Sequence, residues 1–523
     1  MKSRTALLAA ALVALVTAGC TTSITGTPTA GTAGPSGGAA GPSISEEPAD
    51  WAVQALDPCA LLADTPVNTT SNPFATKPHN CGVEYTLPNG EKDRLVVRIG
   101  TTFDTFDRAQ SSPTSVGGLR AYQIRDTEVD AYTPPQCVID IPISATRSVQ
   151  LEALSLGGEL DKACSNAREA AEPVAAKLAD PGANTRNGPP TSLGRWHACD
   201  LLETATGLYA ERNKLGSSSA DQCSAVAEDS PDSPKTDIES TGGPATLEQP
   251  ASDDRLVTLP QGPGLQKSYG TFCTITFVAE ELPGAPTDYA AQVTTLKTRG
   301  AQDNCTAAAD AATKIQNTLA KPAPAPPAPP AKLGFADGQT DDILPIACGR
   351  IGNAASVNCR EAQQVDVPKG ARALLALDGK DPATANVTCT ILKNVAEPVI
   401  GPTEVAAFGD GSCVAAGDTG YSVTLGFWAA DPATGYCAGF DLERQDIRIA
   451  NRPGIRCSPS AANFNAIMPA LGADPGAPGV VLVDGTVDHP RGARTSDQAV
   501  TDDTRVSQLT TKIIDGVITQ YLT

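Results

Sequence analysis

Two stretches of the chain repeat one spacing of small and apolar positions. After Cys164 they fall at Ala167, Ala171, Val174 and Leu178, and after Cys305 at Ala308, Ala312, Ile315 and Leu319. Steps of three and four put each set on one helical stripe. Both stripes end alike, Leu178-Ala179-Asp180-Pro181 beside Leu319-Ala320-Lys321-Pro322, and the proline stops the helix. A third, more divergent copy starts at Cys457, with Ser460, Phe464, Ile467 and Leu471 in the same register and Asp474-Pro475 soon after. Leu61-Leu62 and Leu201-Leu202 predict a short helix just after Cys59 and Cys199. Between these helices lie β-type runs: Arg94 to Ile99, Ala373 to Leu377, Tyr421 to Phe427, and runs opening at Cys137, Cys273 and Cys437. The chain ends on a face of Val506, Leu509, Ile513, Val517 and Tyr521, with Asp503-Thr504 as the expected N-cap. That helix lies outside the repeat and is expected to pack on the third unit.

The cysteines carry the same period. Cys59, Cys81, Cys137 and Cys164 are spaced much like Cys199, Cys223, Cys273 and Cys305, and Asp57-Pro58-Cys59-Ala60-Leu61-Leu62 aligns with His197-Ala198-Cys199-Asp200-Leu201-Leu202. In the third copy Cys348 takes the first place, Cys437 the third and Cys457 the fourth. One of Cys359, Cys389 and Cys413 takes the second, leaving the other two as an extra pair. Of 15 cysteines, Cys20 is set aside below, and the rest are even in number with no CxxC among them. That favours disulfides over metal or redox chemistry. Pairing of first with second and third with fourth is expected in each repeat, because the third opens a strand and the fourth heads the helix that packs there.

The fold class that follows is α+β: three tandem disulfide-stapled units, each an antiparallel sheet packed with N- and C-terminal helices. Residues 51–180 form unit 1, 181–192 a linker, and 193–320 unit 2. Residues 321–332 form a Pro-rich linker, 333–472 unit 3, and 473–523 a C-terminal extension. The linker Lys321 to Lys332 reads as a polyproline spacer rising about 3.1 Å per residue, holding the third unit away from the second. Residues 224–254, acidic and rich in Ser and Pro, read as a solvated loop.

Composition locates the protein. Residues 1–20 read as an export signal: Lys2 and Arg4 precede the apolar run Ala6 to Val16, too short to cross a bilayer core of about 30 Å. Thr17-Ala18-Gly19-Cys20 then resembles the lipobox of bacterial lipoproteins, which implies diacylglycerol on Cys20 and a stable membrane anchor. Residues 21–50, almost all Thr, Gly, Ala, Pro and Ser, read as a flexible tether spanning roughly 30 Å. A net charge of −20 argues against nucleic acid as a partner. Signal, tether and Asp57-Pro58-Cys59-x-Leu61-Leu62 together resemble a family of actinobacterial cell-envelope lipoproteins built on a domain of unknown function. That domain is similar to extracytoplasmic sensor domains of mycobacterial receptor kinases. The resemblance implies location and fold type, and brings no catalytic residues.

No GxSxG, SxxK, HExxH, Walker A or GxGxxG occurs. With only three histidines, a Ser/His/Asp triad would need His79, His197 or His489, and each reads as a surface or capping residue. Asp418-Thr419-Gly420 has no second such motif to share a proton with, and Asp410-Gly411-Ser412 reads as a turn. The acidic run from Glu228 to Asp254 lacks the order of a calcium loop. The expectation is therefore a non-enzymatic envelope lipoprotein without cofactor or metal. It would be lipid-anchored, face the extracytoplasmic side, and serve in binding, sensing or scaffolding there, with an envelope protein or cell-wall ligand as the partner of its tandem domains. The alternatives are a carrier of lipid or another small molecule, marked by a large apolar cavity, and an unrecognised envelope hydrolase, marked by polar groups converging on a carboxylate.

Overall fold

The structure, a computed structural model, describes residues 45–66, 71–86, 92–126, 135–154, 159–188, 192–210, 219–226, 235–247, 254–282, 285–300, 303–341, 346–349, 359–377, 382–417, 421–432, 443–458, 463–470, 478–487 and 496–522. These belong to one compact unit of mixed α/β character in which antiparallel sheets dominate.

The first sheet is preceded by α1 (Glu47–Ala55) and α2 (Pro58–Leu62). The Asp57 carboxylate caps α2 by accepting from the Cys59 amide at 2.9 Å. Then come β1 (Phe74–Lys77), β2 (Asn80–Thr86), β3 (Lys92–Thr102), α3 (Thr105–Ala109), β4 (Ser112–Val116), β5 (Leu119–Asp126), β6 (Gln136–Pro142), β7 (Arg147–Leu154) and α4 (Leu160–Leu178). The strand order is β1-β2-β3-β7-β6-β5-β4. On β3, Leu95, Val97 and Ile99 enter the core beneath α1 and α2, while α4 covers β6 and β7. Arg94 and Arg98 alternate to the other face, as the period of two requires. The α4 stripe, Ala167, Ala171, Val174 and Leu178, is fully buried.

The second sheet follows α5 (Ala198–Thr206). It comprises β8 (Tyr209–Ala210), β9 (Gln222–Val226), β10 (Lys235–Gly243), β11 (Arg255–Leu259), β12 (Gly262–Ser268), β13 (Phe272–Glu281) and β14 (Ala291–Arg299), and α6 (Asn304–Leu319) closes it. Its order, β8-β9-β10-β14-β13-β12-β11, has the connectivity of the first. The expected solvated loop at 224–254 is corrected here. Residues 235–243 form β10, paired with both β9 and β14. Ile238 enters the core, while Thr236 and Ser240 on the same face bond the hydroxyls of Thr298 and Thr294 at 3.3 and 3.1 Å. Cross-strand hydroxyl pairs satisfy a buried face without apolar side chains.

The third region contains α7 (Ile346–Gly349), β15 (Arg360–Glu361), α8 (Ala371–Leu375), α9 (Pro382–Ile400), β16 (Thr403–Ala407), β17 (Cys413–Gly417), β18 (Tyr421–Pro432), β19 (Glu443–Ile449), β20 (Arg452–Ser458), β21 (Asn463–Pro469), β22 (Pro478–Val487) and α10 (Ser496–Tyr521). The order β15-β16-β17-β18-β22-β21-β20-β19 adds one edge strand to the pattern of the other two sheets.

Several expectations change in this region. Cys457 lies in β20, and Phe464 and Ile467 lie in β21, so no helix follows Cys457. Ala466, Ile467 and Met468 are all buried, and a strand covered on both faces gives an apolar run with no decisive period. Residues 373–375, expected in a strand, belong to α8, which buries Ala371 and Leu374. The boundary at 472 falls between two paired strands, β21 and β22. The last helix starts at Ser496, ahead of the Asp503-Thr504 cap expected from the sequence. It buries Val506, Ile513 and Val517 and packs on α9 and β22, in the place α4 and α6 hold in the other sheets. At the other end, α1 begins at Glu47, inside the stretch expected as tether.

Six disulfides join the described residues. Cys59–Cys81, Cys137–Cys164, Cys199–Cys223 and Cys273–Cys305 pair first with second and third with fourth. In the third region the bridges are Cys348–Cys359 and Cys389–Cys413. Cys389 on α9 and Cys413 on β17 occupy the places of Cys59 and Cys81. That corrects the assignment of Cys348 to the first position and makes Cys348–Cys359 the extra pair. Cys20, Cys437 and the Cys457 side chain lie outside the described residues, as do the signal 1–20, Ser460, Leu471, Asp474-Pro475, His489 and Asp418-Thr419-Gly420.

The proline-rich linker 321–332 returns the chain to the first sheet. Ala323 packs against the second core, whereas Leu333 is buried in the first and donates its amide to the Leu178 carbonyl at 2.8 Å. Phe335 accepts from the Arg120 amide at 2.8 Å, and Asp341 ends the docked strap in a buried pocket with Arg108 and Tyr122.

Candidate functional site

The outward face of the first sheet is polar, and part of it is covered by the second. Thr76 and Lys77 on β1, Asn80 on β2, Arg94 and Arg98 on β3, and Gln150 and Glu152 on β7 face Ser219, Gln222, Thr241, Gly242 and Tyr289. Between them lies a cleft of about 480 Å³, within the range of small-molecule sites. Gly242 sets how closely the walls approach: a Cβ there would lie 2.6 Å from the Thr76 carbonyl oxygen and 2.6 Å from the Tyr289 ring. Across the same seam Lys77 Nζ meets Glu239 Oε1 at 3.2 Å.

The floor is a hydrogen-bonded row. Arg98 Nη1 donates to Gln150 Oε1 at 2.6 Å and to Glu152 Oε2. The Gln150 amide donates to Asp140 Oδ1 at 3.1 Å, and Ser148 Oγ donates to the same oxygen at 2.7 Å. Burial drives the Asp140 carboxyl up to about 7, against the pull of those two donors. The row fixes the rotamers of Arg98 and Gln150 before any ligand arrives. Each cation on the walls faces a carboxylate: Lys77 to Glu239, Arg98 to Glu152, and Arg94 to Glu84 at 3.9 Å. Tyr289 is held between Phe74, 5.1 Å away ring to ring, and the Arg94 guanidinium at 5.6 Å. Asn80 Oδ1 and Thr101 Oγ1, on residues that line the cleft, are themselves buried from solvent and make no hydrogen bond.

The histidines fall apart from this site. His197 caps α5 by accepting from the Cys199 amide at 3.1 Å. His79, expected at the surface or in a cap, is 1% exposed, and its Nδ1 lies 2.6 Å from Asp221 Oδ1. That pair joins the turn before β2 to the loop before β9. Beside it Arg186 is buried, donates to the Pro78 carbonyl at 2.8 Å, and is lowered to about 10 by burial against the pull of Asp57, Asp221 and Glu280. Nothing in the local sequence, Lys77-Pro78-His79-Asn80, marks His79 as buried, since its partner lies 142 residues away. Asp410-Gly411-Ser412 is a turn: Asp410 accepts from the Ser412 amide at 3.0 Å and Gly411 has φ +86°. No group of three metal-ligating side chains is found among the described residues, and no helix among them is long and apolar enough to cross a membrane.

No family model matches the chain, and no curated protein does. Among solved structures it is similar to the di-domain ARO/CYC StfQ from the steffimycin biosynthetic pathway, at 13% identity and a TM-score of 0.13, covering 51% of this chain and 95% of that one. It is also similar to the di-domain ARO/CYC BexL from the BE-7585A biosynthetic pathway, at 15% identity and TM-score 0.11, over 54% and 97%. A third is DynU16, a putative protein in the dynemicin biosynthetic locus, at 12% identity and TM-score 0.12, over 53% and 95%. Likeness at this level carries no argument about function.

Proposed function

We propose that this chain is a lipid-anchored, extracytoplasmic binding protein of the cell envelope, and that it holds a polar ligand in the cleft between its first two sheets. The observation that carries the reading is the preorganised floor, in which Arg98 and Gln150 are fixed by Glu152 and Asp140 within a cleft walled by both sheets. Fixed polar groups in a concave site lower the ordering cost of binding. The polar lining favours this reading over carriage of an apolar molecule. Six disulfides suit an oxidising compartment outside the cytoplasm. The lipobox at Thr17 to Cys20 supplies the anchor, and residues 21–46 the tether. The common strand connectivity reads as three copies of one unit, the third having lost the bridge that Cys137 and Cys164 make in the first.

Two measurements test it. The mature protein should carry diacylglycerol on Cys20, and Cys20→Ala should release it from the membrane fraction. Resin-coupled protein should retain a component of envelope extract that an Arg98→Ala, Gln150→Ala double variant does not. Equal retention by the variant would remove the cleft from the reading.

A further inference from the structure

Apart from the cleft, we infer that two copies of this chain join through the outer edge of β11, making one continuous sheet across a two-fold axis. Each of the three sheets closes one side with a hairpin of the same design. Val116 pairs with Leu119, Leu259 with Gly262 and Ile449 with Arg452, each across a two-residue loop. The third residue back from the hairpin end differs: Pro113 in the first sheet, Leu256 in the second and Asp446 in the third. An unpaired strand edge invites another strand, and proline or charge there refuses it. Pro113 has no N–H to offer, and Asp446 and Arg448 charge the edge of β19. The opposite edges are closed too: β1 abuts the second sheet through Lys77 and Glu239, while β8 and β15 have two residues each. Among the described residues β11 alone is left open. Its Leu256 is 57% exposed, the most of any large apolar side chain among them.

The strand turns its free backbone groups outward at two residues. Tyr269 donates to the Phe272 carbonyl at 2.9 Å, and counting by twos from that pair makes Leu265 bond to Thr276 on β13. Leu265 therefore has no backbone group left for Leu256, and Pro263 has no N–H for Thr258. The N–H and C=O groups of Leu256 and Thr258 point away from β12. In the first sheet Arg120 likewise turns its amide from Ser115 to Phe335, so Pro113 sits at the matching outward position. A two-fold axis at Val257 lays Leu256 of one copy opposite Thr258 of the second, and the reverse, which pairs all of these groups. Arg255 then faces Leu259 and Asp254 faces Pro260, so no charge meets its like. On the outward face Leu256 of each copy lies diagonally beside Leu256 of the other, with Leu265 behind it, and the exposed leucine is covered. A foreign strand would fill the same bonds; the chain's own strand matches charge and apolar face as well.

Sedimentation equilibrium of the purified Cys20→Ala chain up to about 100 µM tests the pairing, a concentration that fills a micromolar contact. A monomer–dimer equilibrium is expected. Leu256→Pro, which gives β11 the device of β4, and Leu256→Asp, the device of β19, should each weaken association tenfold or more at an unchanged thermal midpoint. Should the proline lower the midpoint, the aspartate variant decides. Disulfide trapping reads the register. Val257→Cys should form a covalent dimer on oxidation, because facing residues of a non-hydrogen-bonded antiparallel pair lie about 4.5 Å apart at Cα. Adding Leu256→Asp should abolish that dimer. Thr114→Cys, at the matching place on the blocked edge of β4, should stay monomeric. A chain that is monomeric throughout the range, association that survives both Leu256 variants, no trapping by Val257→Cys, or equal trapping by Thr114→Cys would overturn the inference. Each of these outcomes leaves the cleft reading as it stands.

Discussion

Asp341 Oδ2 accepts from Arg108 Nε at 3.0 Å, and both side chains are almost wholly buried. The remaining donors of Arg108 reach the carbonyls of Phe103 and Ala145 at 2.6 and 2.8 Å, and those of Ser144 and Asp341 at 3.2 and 3.1 Å. Tyr122 donates to the other Asp341 oxygen at 3.1 Å, and burial followed by the Asp341 charge raises its phenol to about 12. Removing Asp341 would leave a guanidinium charge buried among carbonyls. Asp341→Ala is expected to cost about 3–5 kcal/mol in denaturant unfolding. It should also speed hydrogen exchange at the Arg120 and Leu333 amides, whose acceptors Phe335 and Leu178 pin the strap. Unchanged exchange there would show that the strap holds without the ion pair.

His79 and Asp221 make a second buried contact, between the first and second sheets. His79→Ala leaves a buried carboxylate without its partner and should destabilise by about 3–5 kcal/mol. The double variant His79→Leu, Asp221→Leu should recover only part of that loss, because Asp221 also offsets the charge of the buried Arg186. A double-mutant cycle with chemical denaturation reads the difference.

Asp140 gives the protein a pH dependence of definite sign. Its native carboxyl titrates at about 7, against 3.8 unperturbed, so between those values the native state holds a proton that the unfolded chain has lost. Its contribution to stability is therefore fully present below the unperturbed value and is lost as pH rises through about 7. Asp484, raised to about 6 by burial, acts in the same direction. Asp140→Asn should flatten the fall and gain about 2–4 kcal/mol at pH 8 relative to wild type, read from urea midpoints across pH 4–8. An unchanged slope would place the pH dependence elsewhere.

The bridges Cys59–Cys81 and Cys137–Cys164 close loops of 22 and 27 residues. In the loop-entropy model each is worth about 3–4 kcal/mol. Paired Cys→Ala replacement of either should lower first-sheet stability by that amount, measured by hydrogen exchange at Val97 and Leu151, both fully buried.

How much of this was legible depends on which residues filled the buried faces. The α4 and α6 stripes and the alternation through Arg94 to Ile99 were readable because apolar side chains mark the period. The second sheet's β10 was not, since Thr236 and Ser240 do there what valine would do elsewhere, and their satisfaction by Thr298 and Thr294 is a tertiary fact. In the third region the cysteine template led to the wrong register. Cys389 and Cys413, rather than Cys348, take the leading places, and the closing helix carries no cysteine at all. The cleft was hidden for a different reason: its floor comes from alternate residues of one sheet and its roof from another, and no local motif encodes their meeting.

The strap at residues 333–341 sets an order of events for a chain synthesised from its N-terminus. When α4 has emerged, the first sheet has every strand and both disulfides, yet its core still lacks Leu333 and its buried guanidinium still lacks Asp341. Both arrive only after the whole second sheet has followed. The first sheet to be synthesised is thus among the last to finish folding, and any truncation before residue 341 would strand it incomplete.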